Sequence, residues 1–140
     1  MPYTKLYIHL VWATKDRLPL LDKKFRPELF THIKENAKSK SIFIDTIGGH
    51  NEHIHILISL DPAQTISNIL NLIKGESSHW LNISKIIKGK FEWQDEYFAV
   101  SVSPSAIEKV RDYIRNQEEH HKKKTFAQEY EEFIKVCGFE

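Results

Sequence analysis

Cysteine is nearly absent from this chain: Cys137 stands alone among 140 residues. A single thiol excludes an intramolecular disulfide and fits a reducing, intracellular setting. Long apolar runs are missing as well. No stretch approaches the roughly 20 residues a membrane-spanning helix requires. The opening MPYTKLYIHLVW lacks the layout of a signal peptide. The expectation is a cytoplasmic protein with no membrane partner. Nor is there a strong charge of one sign: the formal net charge is +1, which decides neither for nor against a nucleic-acid partner. Clustering matters more, and KDRLPLLDKKFR, KIIKGK and HHKKK are locally basic. Repeats, low-complexity segments and linkers are absent too, so residues 1–140 are read as one domain, long enough for a single core. Its 41% hydrophobic and 28% charged residues are those of an ordinary soluble globular protein.

What is present is a clear change of periodicities. Residues 4–14 alternate, with Leu6, Ile8, Leu10 and Trp12 on one side and Tyr7, His9 and Val11 on the other, which predicts a half-buried strand. Residues 22–38 turn helical, with Phe25, Leu29, Ile33 and Ala37 on one stripe, Asp22 as a cap and Pro27 tolerable only near the first turn. Residues 41–47 and 52–60 are β-branched and apolar, and GGHN between them predicts a hairpin turn. Residues 65–83 are helical again, although Gly75 weakens or bends that helix. A basic loop ending in FEWQ leads to a strand at 96–102. SPSAIEKVRDYIRNQEEHH then opens with Ser103 as a cap and Pro104 at the first helical position, and a last helix covers about 125–136. The order β-α-β-β-α-β followed by helices predicts an α+β fold. It is a ferredoxin-like (RRM-like) antiparallel sheet with helices on one face, a C-terminal tyrosine-bearing helix, and the other face free for a site or partner.

The segment HNEHIHILISL places two imidazoles in an apolar strand. By strand parity Ile54, Ile56, Ile58 and Leu60 take the core face, and His53, His55, Leu57 and Ser59 the other. Side chains two apart stand side by side, so both rings can reach one ion. Glu52 has the wrong parity to join them as a ligand. Two histidines alone are an incomplete centre, since a metal wants at least a third protein ligand. The helix after the last strand offers one: Tyr113 and Gln117 are four residues apart and share a face. A glutamine oxygen is a competent hard ligand, and a tyrosine phenol can act as a nucleophile. Each pattern by itself is compatible with a bland reading, a half-exposed strand and an amphipathic helix.

Together, HIH on a central strand and Tyr-x-x-x-Gln on a later helix resemble the HUH endonucleases. More narrowly, the chain resembles the single-tyrosine transposases of the insertion-sequence 200/605 family, including their relatives associated with repetitive extragenic palindromes. The likeness runs through YIHLVWATKDRLPLL, HNEHIHILISL, TISNILNLIKGESSHWLN and FEWQDEYFAVSVSPSAIEKVRDYIRNQEEHHKKKTFAQEY. The resemblance implies a DNA transposase that cleaves and rejoins hairpin-bearing single-stranded DNA through a 5′-phosphotyrosine. Tyr113 would be the nucleophile, and His53, His55 and Gln117 would hold Mg²⁺ or Mn²⁺. No nucleotide cofactor is needed, because the tyrosyl ester keeps the energy of the broken bond. The resemblance further implies a homodimer, with Tyr113 acting in cis or in trans.

Lys122, Lys123 and Lys124, with His120 and His121, are candidate phosphate contacts, and Trp93 is a candidate platform for stacking a base. A sheet edge with apolar or aromatic content, at residues 4–14 or 41–47, could carry the dimer contact. Three rival readings share parts of the pattern: a non-catalytic single-stranded nucleic-acid-binding module, a metal-dependent hydrolase that uses water, and a domesticated relative that processes chromosomal palindromes.

Overall fold

The computed structural model describes residues 3–136 and 138; Cys137 lies outside them. The four strands are β1 (Tyr7–Ala13), β2 (Phe43–Gly49), β3 (His53–Ser59) and β4 (Phe98–Val102). The five helices are α1 (Arg26–Ser39), α2 (Ile66–Ser84), α3 (Ile107–Arg115), α4 (Gln117–His121) and α5 (Phe126–Val136). All strand pairs are antiparallel and the sheet order is β2-β3-β1-β4. This is the α+β arrangement the periodicities predict.

Parity sorts the two faces as expected. Ile8, Leu10 and Trp12 of β1 and Ile54, Ile56 and Ile58 of β3 form the main core with Leu29, Ile33 and Ala37 of α1 and Ile69, Leu70 and Ile73 of α2. Burial of such side chains contributes roughly 1.5–3 kcal/mol each, so this layer fixes the sheet. Asp22 caps the turn ahead of α1, accepting from the Lys24 amide at 2.8 Å, and Pro27 falls in the first turn of the helix. Thr65 caps α2, and the helix runs through Gly75 without a break. Ser103 gives no side-chain cap; a short 3₁₀ turn at Pro104–Ala106 leads into α3 instead.

The opposite face is not free. Helices α3, α4 and α5 cover it, with Phe126 of α5 buried against Val11 and Ala13, and Phe98 and Phe133 packed beside them. The reason is visible in α5 itself: Phe126, Tyr130 and Phe133 recur at helical spacing and need an apolar surface to cover. The expected turn also moves. Gly48 and Gly49 lie in β2, and residues 50–52 make the turn. Gly48 is required because α3 passes directly over it. A Cβ there would come within 2.2 Å of the Ile114 carbonyl oxygen.

Trp93, a candidate base platform from sequence, is a core residue. Its indole is 8% exposed, packs edge-on against Trp12 and Phe91, and donates to Ser77 Oγ at 2.9 Å. β1 lies inside the sheet, so residues 4–14 cannot pair with a second chain. β2 is an edge strand, with Phe43 60% exposed.

Candidate metal and tyrosine site

His53 and His55 project from β3 into the layer beneath the C-terminal helices, and both are fully buried. Gln117, the first residue of α4, reaches the same place: its Oε1 is 3.0 Å from His53 Nε2, and its Nε2 donates to the Tyr113 carbonyl at 3.2 Å. The helix breaks at Asn116, yet this bond across the break keeps Tyr113 and Gln117 on one face. The Tyr113 ring stands edge-on to His55, with centroids 5.5 Å apart, and its hydroxyl is 3.5 Å from His120 Nε2. The four residues singled out from sequence are thus neighbours.

Both histidines have their second ring nitrogen fixed. His53 Nδ1 donates to Glu52 Oε1 at 2.8 Å, and His55 Nδ1 lies 2.9 Å from His9 Nε2. His53 Nε2 and Gln117 Oε1 are in hydrogen-bond contact at 3.0 Å; in the tautomer with the proton on Nδ1 alone, both atoms are free to bind one cation. Such outer partners orient metal-ligating imidazoles and set their tautomer. Glu52, of opposite parity, supports the His53 ring through its hydrogen bond with Nδ1. Burial, and then the neighbouring His55, lower the His9 pKa to about 3; burial is also the main cause that lowers His55 to about 4. Both are neutral near pH 7, which is the state a metal ligand needs.

Two helices are pinned around this site. Asp45, at a bulge where the β2–β3 register shifts, takes both Arg111 Nε (2.8 Å) and Nη2 (2.7 Å), tying α3 to the sheet. Arg26, buried in α1, donates to Asn51 Oδ1 and Glu118 Oε1, each at 2.9 Å, tying α4 to the hairpin turn. Burial, and then the charge of Glu129, push the Tyr113 phenol well above its ordinary pKa of 10. A neutral buried phenol is a weak nucleophile until a base takes its proton.

The remaining sequence candidates divide. His120 and His121 turn inward to Glu129 Oε2, each with Nε2 at 3.2 Å. Lys122 and Lys123 are exposed and Lys124 is half-buried; Lys122 pairs with Glu119 at 2.8 Å and Lys124 with Glu132. His9, Glu129 and the Asp45–Arg111 pair belong to this site without a motif in the sequence that marks them. A signal for His9 was present, since it shares the strand parity of Val11 on the site face. Nothing in the sequence ties residue 129 to residue 55. A cleft of about 280 Å³, lined by His9, Lys109, Val110, Tyr113, Glu129 and Phe133, leads from solvent to the tyrosine.

Residues 2–117 match the family model described as "Transposase IS200 like". The chain belongs to the IS200-like transposase family. These are HUH tyrosine transposases. The chain is 24% identical to the ISDra2 transposase TnpA of Deinococcus radiodurans over 118 residues, which is 81% of this chain and 84% of that one. Among solved structures, a transposase candidate from Deinococcus radiodurans R1 superposes with a TM-score of 0.67 at 24% identity, over 83% of this chain and 93% of its own. A REP-associated tyrosine transposase bound to a REP hairpin superposes with a TM-score of 0.64 at 18% identity, over 86% of this chain and 72% of its own. At these identities the superpositions speak for the fold. No helix among the described residues is long and apolar enough to cross a membrane.

Proposed function

We propose that this IS200-like transposase cleaves and rejoins single-stranded DNA through a covalent bond to Tyr113. The observation that carries this reading is the convergence of Tyr113 and Gln117 with His53 and His55 on one sheet face. In cleavage, the Tyr113 oxygen attacks the scissile phosphorus. The tyrosyl–phosphate bond forms, the bond to the 3′ oxygen breaks, and that oxygen leaves as a 3′-hydroxyl. His120 Nε2, at 3.5 Å, is placed to take the phenol proton; such contacts are commonly long before substrate binds. Attack by a 3′-hydroxyl on the tyrosyl ester reverses the step and joins strands without a nucleotide cofactor.

The donor set of two imidazoles and one amide oxygen fits Mn²⁺ or Mg²⁺. Held by His53, His55 and Gln117, such an ion would offset charge developing on the phosphate. Tyr113 lies beside His55 of its own chain, which supports action in cis. Lys122, Lys123 and Lys124 follow His121 directly in the chain, and the ion pairs of Lys122 and Lys124 with glutamates can be exchanged for phosphate contacts. By analogy with the hairpin-bound relative, the substrate is single-stranded DNA folded into a hairpin. The exposed β2 edge is the surface for a homodimer. The whole chain acts as one domain, in the cytoplasm and on the chromosome.

The test is a covalent adduct. With a hairpin-bearing single strand and Mn²⁺, a band stable to denaturing electrophoresis should form, and peptide mapping should find the phosphate on Tyr113. Cleavage at the same rate without an adduct would identify water as the nucleophile and the chain as a hydrolase; binding without cleavage would leave a binding module.

A further inference from the structure

Glu129 of α5 is 1% exposed, and its carboxylate faces four imidazoles and the Tyr113 hydroxyl. Oε1 lies 2.9 Å from His55 Nε2 and 3.6 Å from His53 Nε2, and Oε2 lies 3.2 Å from Nε2 of both His120 and His121. Among the described residues no lysine or arginine forms an ion pair with it. Two of these atoms, Glu129 Oε2 and His121 Nε2, are buried without a hydrogen-bond partner. A carboxylate buried among imidazoles, with no lysine or arginine paired to it, is a costly arrangement unless a cation lies beside it. A divalent cation in the same space resolves it. The ligand atoms of His53, His55 and Glu129 all lie within 4.8 Å of one another.

The rest of α5 holds that carboxylate in place through apolar contacts. Phe126 stacks on His53 at 4.2 Å, and Phe133 packs against His9, His55 and Tyr113. Glu129 also lies beyond residues 2–117, the part of the chain matched by the family model.

We propose that Glu129 is a ligand of the site's cation in the DNA-free protein and holds the position that the scissile phosphate takes when DNA binds. This rests on the reading of His53, His55 and Gln117 as the metal site. The chemistry of exchange is simple. A carboxylate oxygen and a non-bridging phosphate oxygen are both hard anionic ligands for Mg²⁺ or Mn²⁺, so one can replace the other without loss of the ion. Departure of Glu129 lifts α5 from the sheet and uncovers Tyr113, which is half-buried beneath it. Metal retention and access to the nucleophile are then governed by one side chain.

The experiment is Mn²⁺ binding to the full chain without DNA, by titration calorimetry or by loss of the free-ion resonance signal. Wild type should bind one Mn²⁺, Glu129→Gln at least about tenfold more weakly, Glu129→Asp between them, and His53→Ala hardly at all. The glutamine variant is isosteric, and thermal melting verifies that it folds; should it not, the aspartate variant carries the comparison. In a second readout, adduct formation at saturating Mn²⁺ should rise severalfold in Glu129→Gln, because nothing then competes with the phosphate. Equal Mn²⁺ affinity in wild type and Glu129→Gln, with binding lost in His53→Ala, would overturn this proposal and leave the metal site standing. Absence of Mn²⁺ binding in wild type would overturn both. Weaker binding with equal or lower adduct yield at saturating metal would overturn the displacement.

Discussion

His53 and Gln117 are separated by 64 residues in the chain and by 3.0 Å in space, and neither side chain meets solvent. Two of the three candidate ligands therefore owe their meeting to the docking of α4, not to any local pattern. Gln117→Ala should lower Mn²⁺ affinity while His53 and His55 stay in place, because the strand is fixed by the opposite core. Calorimetry on the DNA-free protein checks it; unchanged affinity would remove Gln117 from the site.

Tyr113→Phe deletes one hydroxyl and no packing surface. The variant should form no covalent adduct, melt as wild type does, and bind the hairpin strand with similar affinity. Wild-type cleavage by this variant would mean that another group attacks the phosphate.

Glu52 has the wrong strand parity to join His53 and His55 as a ligand, and its carboxylate accepts instead from His53 Nδ1 at 2.8 Å. Removing such an outer partner typically costs 10–100-fold in metal affinity or activity. Glu52→Ala should show a loss of that order in Mn²⁺ binding. Glu52→Gln, which still accepts a hydrogen bond, should recover part of it.

Much of this site could be read from the chain, and the rest could not, for physical reasons. Strand parity depends only on alternation, so the facing of His53, His55, Ile54 and Ile56 follows from the residues themselves. The pairing of Tyr113 with Gln117 follows from helical spacing and survives the break at Asn116. The burial of Trp93 is not legible in the sequence because a tryptophan in a loop segment has no periodicity to declare it; its place depends on Trp12, Phe91 and Ser77 arriving from elsewhere. The covering of the second sheet face is not legible either, because α5 advertises an apolar stripe without saying what it covers. Glu129 sits on that helix, so its arrival beside His55 was invisible for the same reason.

Trp93→Ala separates the two roles considered for this residue. As a core residue it should cost about 3–5 kcal/mol of stability. DNA affinity, measured well below the melting temperature, should stay close to wild type. A large loss of affinity with unchanged stability would restore the stacking role.

Gly48→Ala tests how closely α3 must approach the sheet. The added methyl would come within 2.2 Å of the Ile114 carbonyl oxygen, a backbone atom that cannot rotate away. Overpacking of this kind costs roughly 1–3 kcal/mol, and α3 must move outward, taking Tyr113 with it. Thermal melting should show the loss, and adduct formation should slow more than metal binding weakens, since His53 and His55 stand on a different strand. Equal losses in both would show that the displacement is not confined to α3.

The same helix is held from its other side by Arg111 and Asp45, and this attachment should depend on pH in one direction only. The hydrogen bonds from Arg111, helped by that of Thr46, hold the Asp45 carboxyl below its ordinary value against the opposing effect of burial. A carboxyl depressed in the folded state binds its proton more readily when unfolded. Its contribution is therefore present in full above the unfolded value, about 3.9, and is lost as pH falls through the lower folded value. Asp45→Asn removes the titrating group and one charge of the pair. The difference in melting temperature between wild type and Asp45→Asn should be constant from neutral pH to about pH 5 and shrink below about pH 4. Arg111→Ala, which releases the partner, should be less stable than wild type at neutral pH and approach it in acid. A difference that grows as pH falls would show that Asp45 stabilises the protein in its protonated form and that the ion pair does not anchor α3.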